Sequence, residues 1–115
     1  MLPKTRRIER KYFSHILSSG KRYNSQSFTL YISKIEDSSP KNHSRVAFSV
    51  SKKVVKTAVG RNKQRRRGYS AISKVYPTVK PGYFLFFVYK KGFEIDYSSL
   101  EKEISALLSH SLVII

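Results

Sequence analysis

Two spacings of apolar residues alternate along this chain, and each change of spacing marks a new element. From Lys4 to Gly20 the apolar positions Ile8, Tyr12, Phe13, Ile16 and Leu17 recur at three and four residues. That spacing predicts a first helix, with Thr5 as its N-cap and Gly20 as its stop. Over 27–35 the spacing falls to two, so Phe28, Leu30 and Ile32 share one face of a strand and Thr29, Tyr31 and Ser33 share the other. Residues 35–44 are polar around Pro40 and read as a loop. Alternation returns at 45–51, with Val46, Phe48 and Val50 on one side.

Between Lys52 and Tyr76 the spacing is helical again, and Thr57 is a suitable cap. Ala58, Tyr69, Ile72 and Tyr76 fall on one stripe together with Asn62 and Arg65. Gly68 within it costs about 1 kcal/mol relative to alanine. The "PTVKPG" segment at 77–82 ends the helix, because proline removes a donor and clashes with the preceding turn. "YFLFFVY" at 83–89 is apolar at every position, which predicts a central strand covered on both faces. Ser98 and Glu101 have capping-box spacing before a last helix that buries Leu100, Ile104, Leu107, Leu108 and either Ser111 or Leu112. The order is helix, strands, helix, strand, helix. The fold class is α+β, one domain over 1–115, with helices packed on a sheet and neither repeat nor linker.

Charge changes this picture from a fold into a function class. The chain of 115 residues carries 23 Lys and Arg against 7 Asp and Glu, a formal +16. Such a charge opposes compaction and calls for a polyanionic partner, nucleic acid or an anionic membrane surface. Cysteine is absent, so there is neither a disulfide framework nor a thiolate metal site. The N-terminus lacks a signal-peptide core, and the apolar run at 83–89 is too short to span a bilayer. The expectation is a soluble, cytoplasmic nucleic-acid binder. A membrane binder fits less well, because its cations should lie opposite an exposed apolar face.

Catalytic chemistry finds little support. His15, His43 and His110 lie in different elements without metal-ligand spacing. The acidic pairs Glu36/Asp37 and Glu94/Asp96 sit at loop or strand ends, with nothing to suggest convergence on a pair of ions. P-loop, dinucleotide and nucleophile-elbow motifs are absent. No catalytic and no metal-ligating residue is assigned. An autonomous metal nuclease would have to rest on Asp96 or Glu94.

Five of the seven residues from Arg61 to Arg67 are cationic. On a helix Arg61/Arg65 and Lys63/Arg67 are like-charged i,i+4 pairs, each destabilising by about 0.2–0.5 kcal/mol. Lys52, Lys53 and Lys56 extend the ridge, and no acid occurs between Asp37 and Glu94. A solvated face normally mixes signs, so this one is expected to meet phosphate. Arginine forks bind phosphate in a bidentate manner and stack on bases, and Asn62 can reach a ribose hydroxyl or a base edge. Folded, irregular RNA suits such a surface better than uniform duplex DNA.

Aromatics form the second candidate site. The chain holds eight Tyr and seven Phe but no Trp. Tyr31 alternates to the face opposite Phe28, and Tyr12 and Phe13 on the first helix are placed to lie beside it. Aromatics edged by cations hold single-stranded RNA by stacking. The same residues would equally serve plain helix-on-sheet packing.

"RVAFSVSKKVVKTAVGRNKQRRR" at 45–67 resembles the signature of the bacterial ribonuclease P protein subunit, in which a strand ending S-V-S-K-K leads into an arginine-asparagine-arginine helix. "LPKTRRIERKYFSHILSSGKRYNSQSFTLY" and "GYFLFFVYKKG" extend the resemblance over essentially the whole chain. The resemblance implies an αβββαβα sandwich with a mixed central sheet and a left-handed βαβ crossover, against the general right-handed rule. It implies a small basic partner of a catalytic RNA, one protein to one RNA, in a ribonucleoprotein that removes the 5′ leader of precursor tRNA by Mg²⁺-dependent hydrolysis. The RNA would carry the active site and Mg²⁺ would serve the holoenzyme, with no cofactor held by the protein. Carried over by position, Arg61, Asn62, Lys63, Arg65 and Arg66, with Lys52 and Lys53, would face the catalytic RNA. Phe13, Leu17 and Tyr31 would line a groove for the leader. The chain departs from the family at Lys63, which keeps charge but loses the arginine fork, at Gly68, Tyr69, Ser70 and Ser73, and at Leu17, where an aromatic is common. A ribosome-associated or general RNA-binding protein would share the basic patch without needing the groove.

Overall fold

The computed structural model describes residues 7–35, 43–90 and 96–111. Thr5, most of the 35–44 loop with Glu36 and Asp37, Glu94 and Leu112 lie outside the described residues. Four strands form one mixed sheet: β1 (Lys21–Asn24), β2 (Phe28–Lys34), β3 (Arg45–Ser49) and β4 (Tyr83–Tyr89), in the order β1-β2-β4-β3. β1 and β2, and β2 and β4, pair antiparallel, while β3 and β4 are parallel and joined through α2 (Ala58–Val75). The remaining helices are α1 (Phe13–Ser19) and α3 (Tyr97–His110).

β4 lies between β2 and β3 with side chains buried on both faces, which is why its sequence shows no polar alternation. On one face Leu85, Phe87 and Tyr89 join Phe28, Leu30 and Ile32 of β2 and Val46, Phe48 and Val50. α2 covers this layer with Tyr69, Ala71 and Ile72, and α3 with Leu100, Ile104, Leu107 and Leu108. Each Val, Leu, Ile or Phe side chain in this layer contributes about 1.5–3 kcal/mol when fully buried. The stacked Phe48 and Phe87 rings, 4.8 Å apart, centre the layer. On the other face Ala47, Phe84 and Phe86 are covered by Ile8 and Ile16.

Three expectations need correction. The first helix does not run from Lys4: a 3-10 turn at Arg10–Tyr12 leads into α1. Arg7 instead bridges Val46 in parallel, and the Ile8 amide donates to the Val46 carbonyl at 3.0 Å. Ile8 sits at helical spacing from Tyr12, yet it is buried as the neighbour of a strand. The second helix begins at Ala58 behind the expected Thr57 cap, after Val54 and Val55 both donate to the Ser51 carbonyl and close a turn, but its buried face is not the expected stripe. Its buried positions are Gln64, Gly68, Tyr69, Ala71 and Ile72, while Ala58 and Asn62 are exposed. Finally, Ser98 is not a cap: α3 starts at Tyr97 after Asp96, and Glu101 pairs with Lys74 at 3.3 Å.

α3 is fastened to the β1–β2 turn by Glu103. Its carboxylate accepts from the Ser25 hydroxyl at 2.5 Å and from the Ser27 amide at 2.8 Å. Gly20 ends α1 in extended conformation, its amide donating to the Ile16 carbonyl at 2.8 Å. A side chain there would meet that carbonyl at 2.6 Å.

Candidate nucleic-acid interface

The basic site is built on α2 and the turn before it. Thr57 caps the helix, its hydroxyl accepting from the Gly60 amide at 3.0 Å. The Arg61 guanidinium donates to the Val55 carbonyl at 3.0 Å and to the Lys56 carbonyl at 2.9 Å. Arg61 therefore ties the turn carrying Lys52 and Lys53 to the helix, and both lysines are exposed on that turn. The sequence treats Arg61 as one more cation on the ridge. In the structure much of its donor capacity is spent on its own backbone.

Asn62, Arg65, Arg66 and Tyr69 stand three, four and seven residues apart and so share one helix face. With Arg7 they line a concavity of about 360 Å³. Arg65 donates to the Asn62 side-chain oxygen. That contact uses the Asn62 side-chain oxygen, so the amide N–H₂ of this exposed residue remains as a donor. The Arg7 guanidinium lies 5.3 Å from the centre of the Tyr69 ring, a cation–π contact. Burial pushes the Tyr69 phenol up, opposed by the Phe48 backbone and by the Arg7 and Arg65 charges. Lys63 lies off this face, exposed.

Arg7 is the residue that sequence reasoning missed. Its place depends on the bridge to Val46, which no local pattern announces. In that extended segment Arg7 turns toward α2 and Ile8 toward the opposite sheet face, as alternation requires.

The aromatic site occupies that opposite face. Phe13 of α1 stacks on Phe86 with ring centres 4.7 Å apart, and Tyr31 lies 6.4 Å from the same ring. Phe86 is buried, whereas Phe13 and Tyr31 are half-buried with their rings partly open to solvent. Leu17, 47% exposed, is on α1 but outside the apolar cluster that holds Phe13 and Tyr31. The structure thus brings Phe13 and Tyr31 together around Phe86 and leaves Leu17 at the rim.

Known proteins place the chain. The family model described as Ribonuclease P matches residues 2–111. The ribonuclease P protein component of Microcystis aeruginosa is 32% identical, covering 98% of this chain and 96% of the relative. That of Synechocystis is 29% identical over 98% of this chain and 90% of the relative. In fold, the Staphylococcus aureus RNase P protein superimposes with a TM-score of 0.79 at 21% identity, over 96% of this chain and 98% of that one. The Thermotoga maritima RNase P protein gives 0.78 at 20% identity, over 90% and 96%. With its sequence matched nearly end to end, the chain belongs to the ribonuclease P protein family.

Proposed function

We propose that the α2 concavity docks on the catalytic RNA while the Phe13–Phe86–Tyr31 face holds the single-stranded 5′ leader of precursor tRNA. As the protein component of ribonuclease P, the chain belongs to an endoribonuclease that matures the tRNA 5′ end and works with an RNA subunit. What supports the finer assignment is the separation of the two surfaces. Cations and an amide gather on the outer face of α2, and half-exposed aromatics gather on the far side of the sheet. A protein that only neutralised charge would not need the second surface.

Mg²⁺ enters this reading through the RNA. Among the described residues no three His, Asp or Glu converge on a point where a cation would sit. The described helices include none long and apolar enough to cross a membrane. One protein per RNA, acting in the cytoplasm, completes the reading. The protein's contribution is to offset phosphate repulsion, so that RNA and substrate approach at lower Mg²⁺.

The test is precursor-tRNA cleavage at low Mg²⁺ with protein alone, a bacterial ribonuclease P RNA alone, and the two mixed. Cleavage at the mature 5′ end is expected only in the mixture. Lack of stimulation with a well-folded RNA from a close relative would sink the docking assignment, and cleavage by protein alone would return the active site to the protein. A second expectation concerns the free chain, whose +16 charge repels itself. Phosphate at about 100 times its dissociation constant should stabilise the fold by about 2.7 kcal/mol if it binds only the native state. An unchanged Tm in phosphate, against chloride of equal ionic strength, would contradict it.

A further inference from the structure

Rows of side chains run across the sheet on its aromatic face, and one of them ends on an arginine. The register pairs Arg22 of β1 with Tyr31 of β2, Tyr31 with Phe86 of β4, and Phe86 with Ala47 of β3. Directly opposed residues on antiparallel strands hold their Cβ atoms about 4.5–5.5 Å apart on the same face. Arg22 is therefore the immediate neighbour of Tyr31, on the side away from Phe13 and Phe86. The next row is Asn24, Thr29, Val88 and Ser49, with the Thr29 hydroxyl donating to the Asn24 side-chain oxygen at 3.1 Å. α1 packs along β2, with Phe13 over Phe86, and the row becomes more open toward its edge, from buried Phe86 through half-buried Tyr31 to exposed Arg22. Strands about 4.8 Å apart make the whole row about 14 Å long.

We propose that Arg22 is a further leader-binding residue, receiving a phosphate of the single strand whose base lies on Tyr31; this rests on the leader assignment above. An aromatic ring with a guanidinium beside it offers a nucleotide both of its needs, a surface for the base and a fork for the phosphate. Arg22 is exposed, and among the described residues no acid pairs with it. Its fork is thus available at no cost in broken contacts. β1 is an edge strand, so among the described residues no strand lies beyond it to keep a nucleic acid from Arg22. The edge also explains why sequence alone leaves Arg22 out: the four residues of β1 contain a single apolar position, Tyr23, and show no alternation to fix a face.

The test compares binding of precursor tRNA and of mature tRNA, which lacks the leader, to the reconstituted holoenzyme. Arg22→Ala should weaken precursor binding about tenfold, the scale of one charge-assisted contact, and leave mature tRNA unchanged. The slope of log affinity against log salt should fall by about 0.7, the single-strand value for one phosphate. Arg22→Lys should keep the slope and recover part of the affinity. Equal weakening of both tRNAs would make Arg22 diffuse charge and overturn the proposal. No effect of Arg22→Ala, while Tyr31→Ala and Phe13→Ala weaken precursor binding, would overturn it and leave the leader assignment standing. No effect of Tyr31→Ala and Phe13→Ala would remove the leader assignment itself, and the role of Arg22 with it.

Discussion

Replacing Arg65 and Arg66 together by alanine should lower affinity for the catalytic RNA by about 10²–10³-fold. Each guanidinium that donates to a phosphate contributes about 1.5–3 kcal/mol, and the smaller figure taken twice reaches this range. Both residues line the α2 concavity with Asn62, and Arg65 is held in place by the Asn62 oxygen. Arg65→Lys with Arg66→Lys should fall between, because charge remains and the fork is lost. Arg61→Ala should behave differently, with part of its effect appearing as lost stability. Its guanidinium holds the Val55 and Lys56 carbonyls, so its removal frees the turn that carries Lys52 and Lys53. The control is Lys21→Ala with Lys34→Ala, two exposed cations at the opposite end of the sheet from that turn. Titration of labelled RNA with each variant at fixed salt decides the matter. If the lysine pair costs as much as the arginine pair, binding is diffuse and α2 is not a docking element.

Much of the fold was legible because strands write their faces into the sequence. Phe28, Leu30 and Ile32, then Val46, Phe48 and Val50, are all buried on the same side of the sheet, and the unbroken apolar run of β4 marks its central place. The helices were less legible where burial falls on residues that hydropathy does not register. Gln64 and Gly68 are buried on α2, Gln64 with its carbonyl accepting from the Tyr89 hydroxyl at 2.8 Å. Counting only apolar side chains therefore rotates the predicted stripe away from the real one. Ile8 shows the converse, where helical spacing was satisfied but a tertiary partner took the backbone. The cationic cluster was plain from composition, since 61–67 holds five cations and no acid. Its geometry was not, because Arg7 arrives from another part of the chain and Arg61 is turned onto its own backbone.

Gly68→Ala should destabilise the protein by about 1–3 kcal/mol, although alanine is the better helix former by about 1 kcal/mol. A Cβ at this position would stand 2.6 Å from two atoms of the Phe48 ring and 2.9 Å from a third, closer than carbon atoms approach. Phe48 has little freedom to withdraw, since its ring stacks on Phe87 at 4.8 Å and meets Tyr69 edge-on at 5.1 Å. Glycine here buys the close seating of α2 on the sheet, and with it the position of Asn62, Arg65 and Arg66 less than two turns upstream. Phe48→Leu should cost stability alone, by leaving space beside Phe87. Combined with Gly68→Ala it should cost less than the two single losses added, because the methyl fills part of that space. Urea unfolding of the two single variants and the double variant gives the coupling directly. A gain of about 1 kcal/mol in Gly68→Ala, the value for an unhindered helical site, would show that α2 rides higher on the sheet and that its seating does not depend on Gly68.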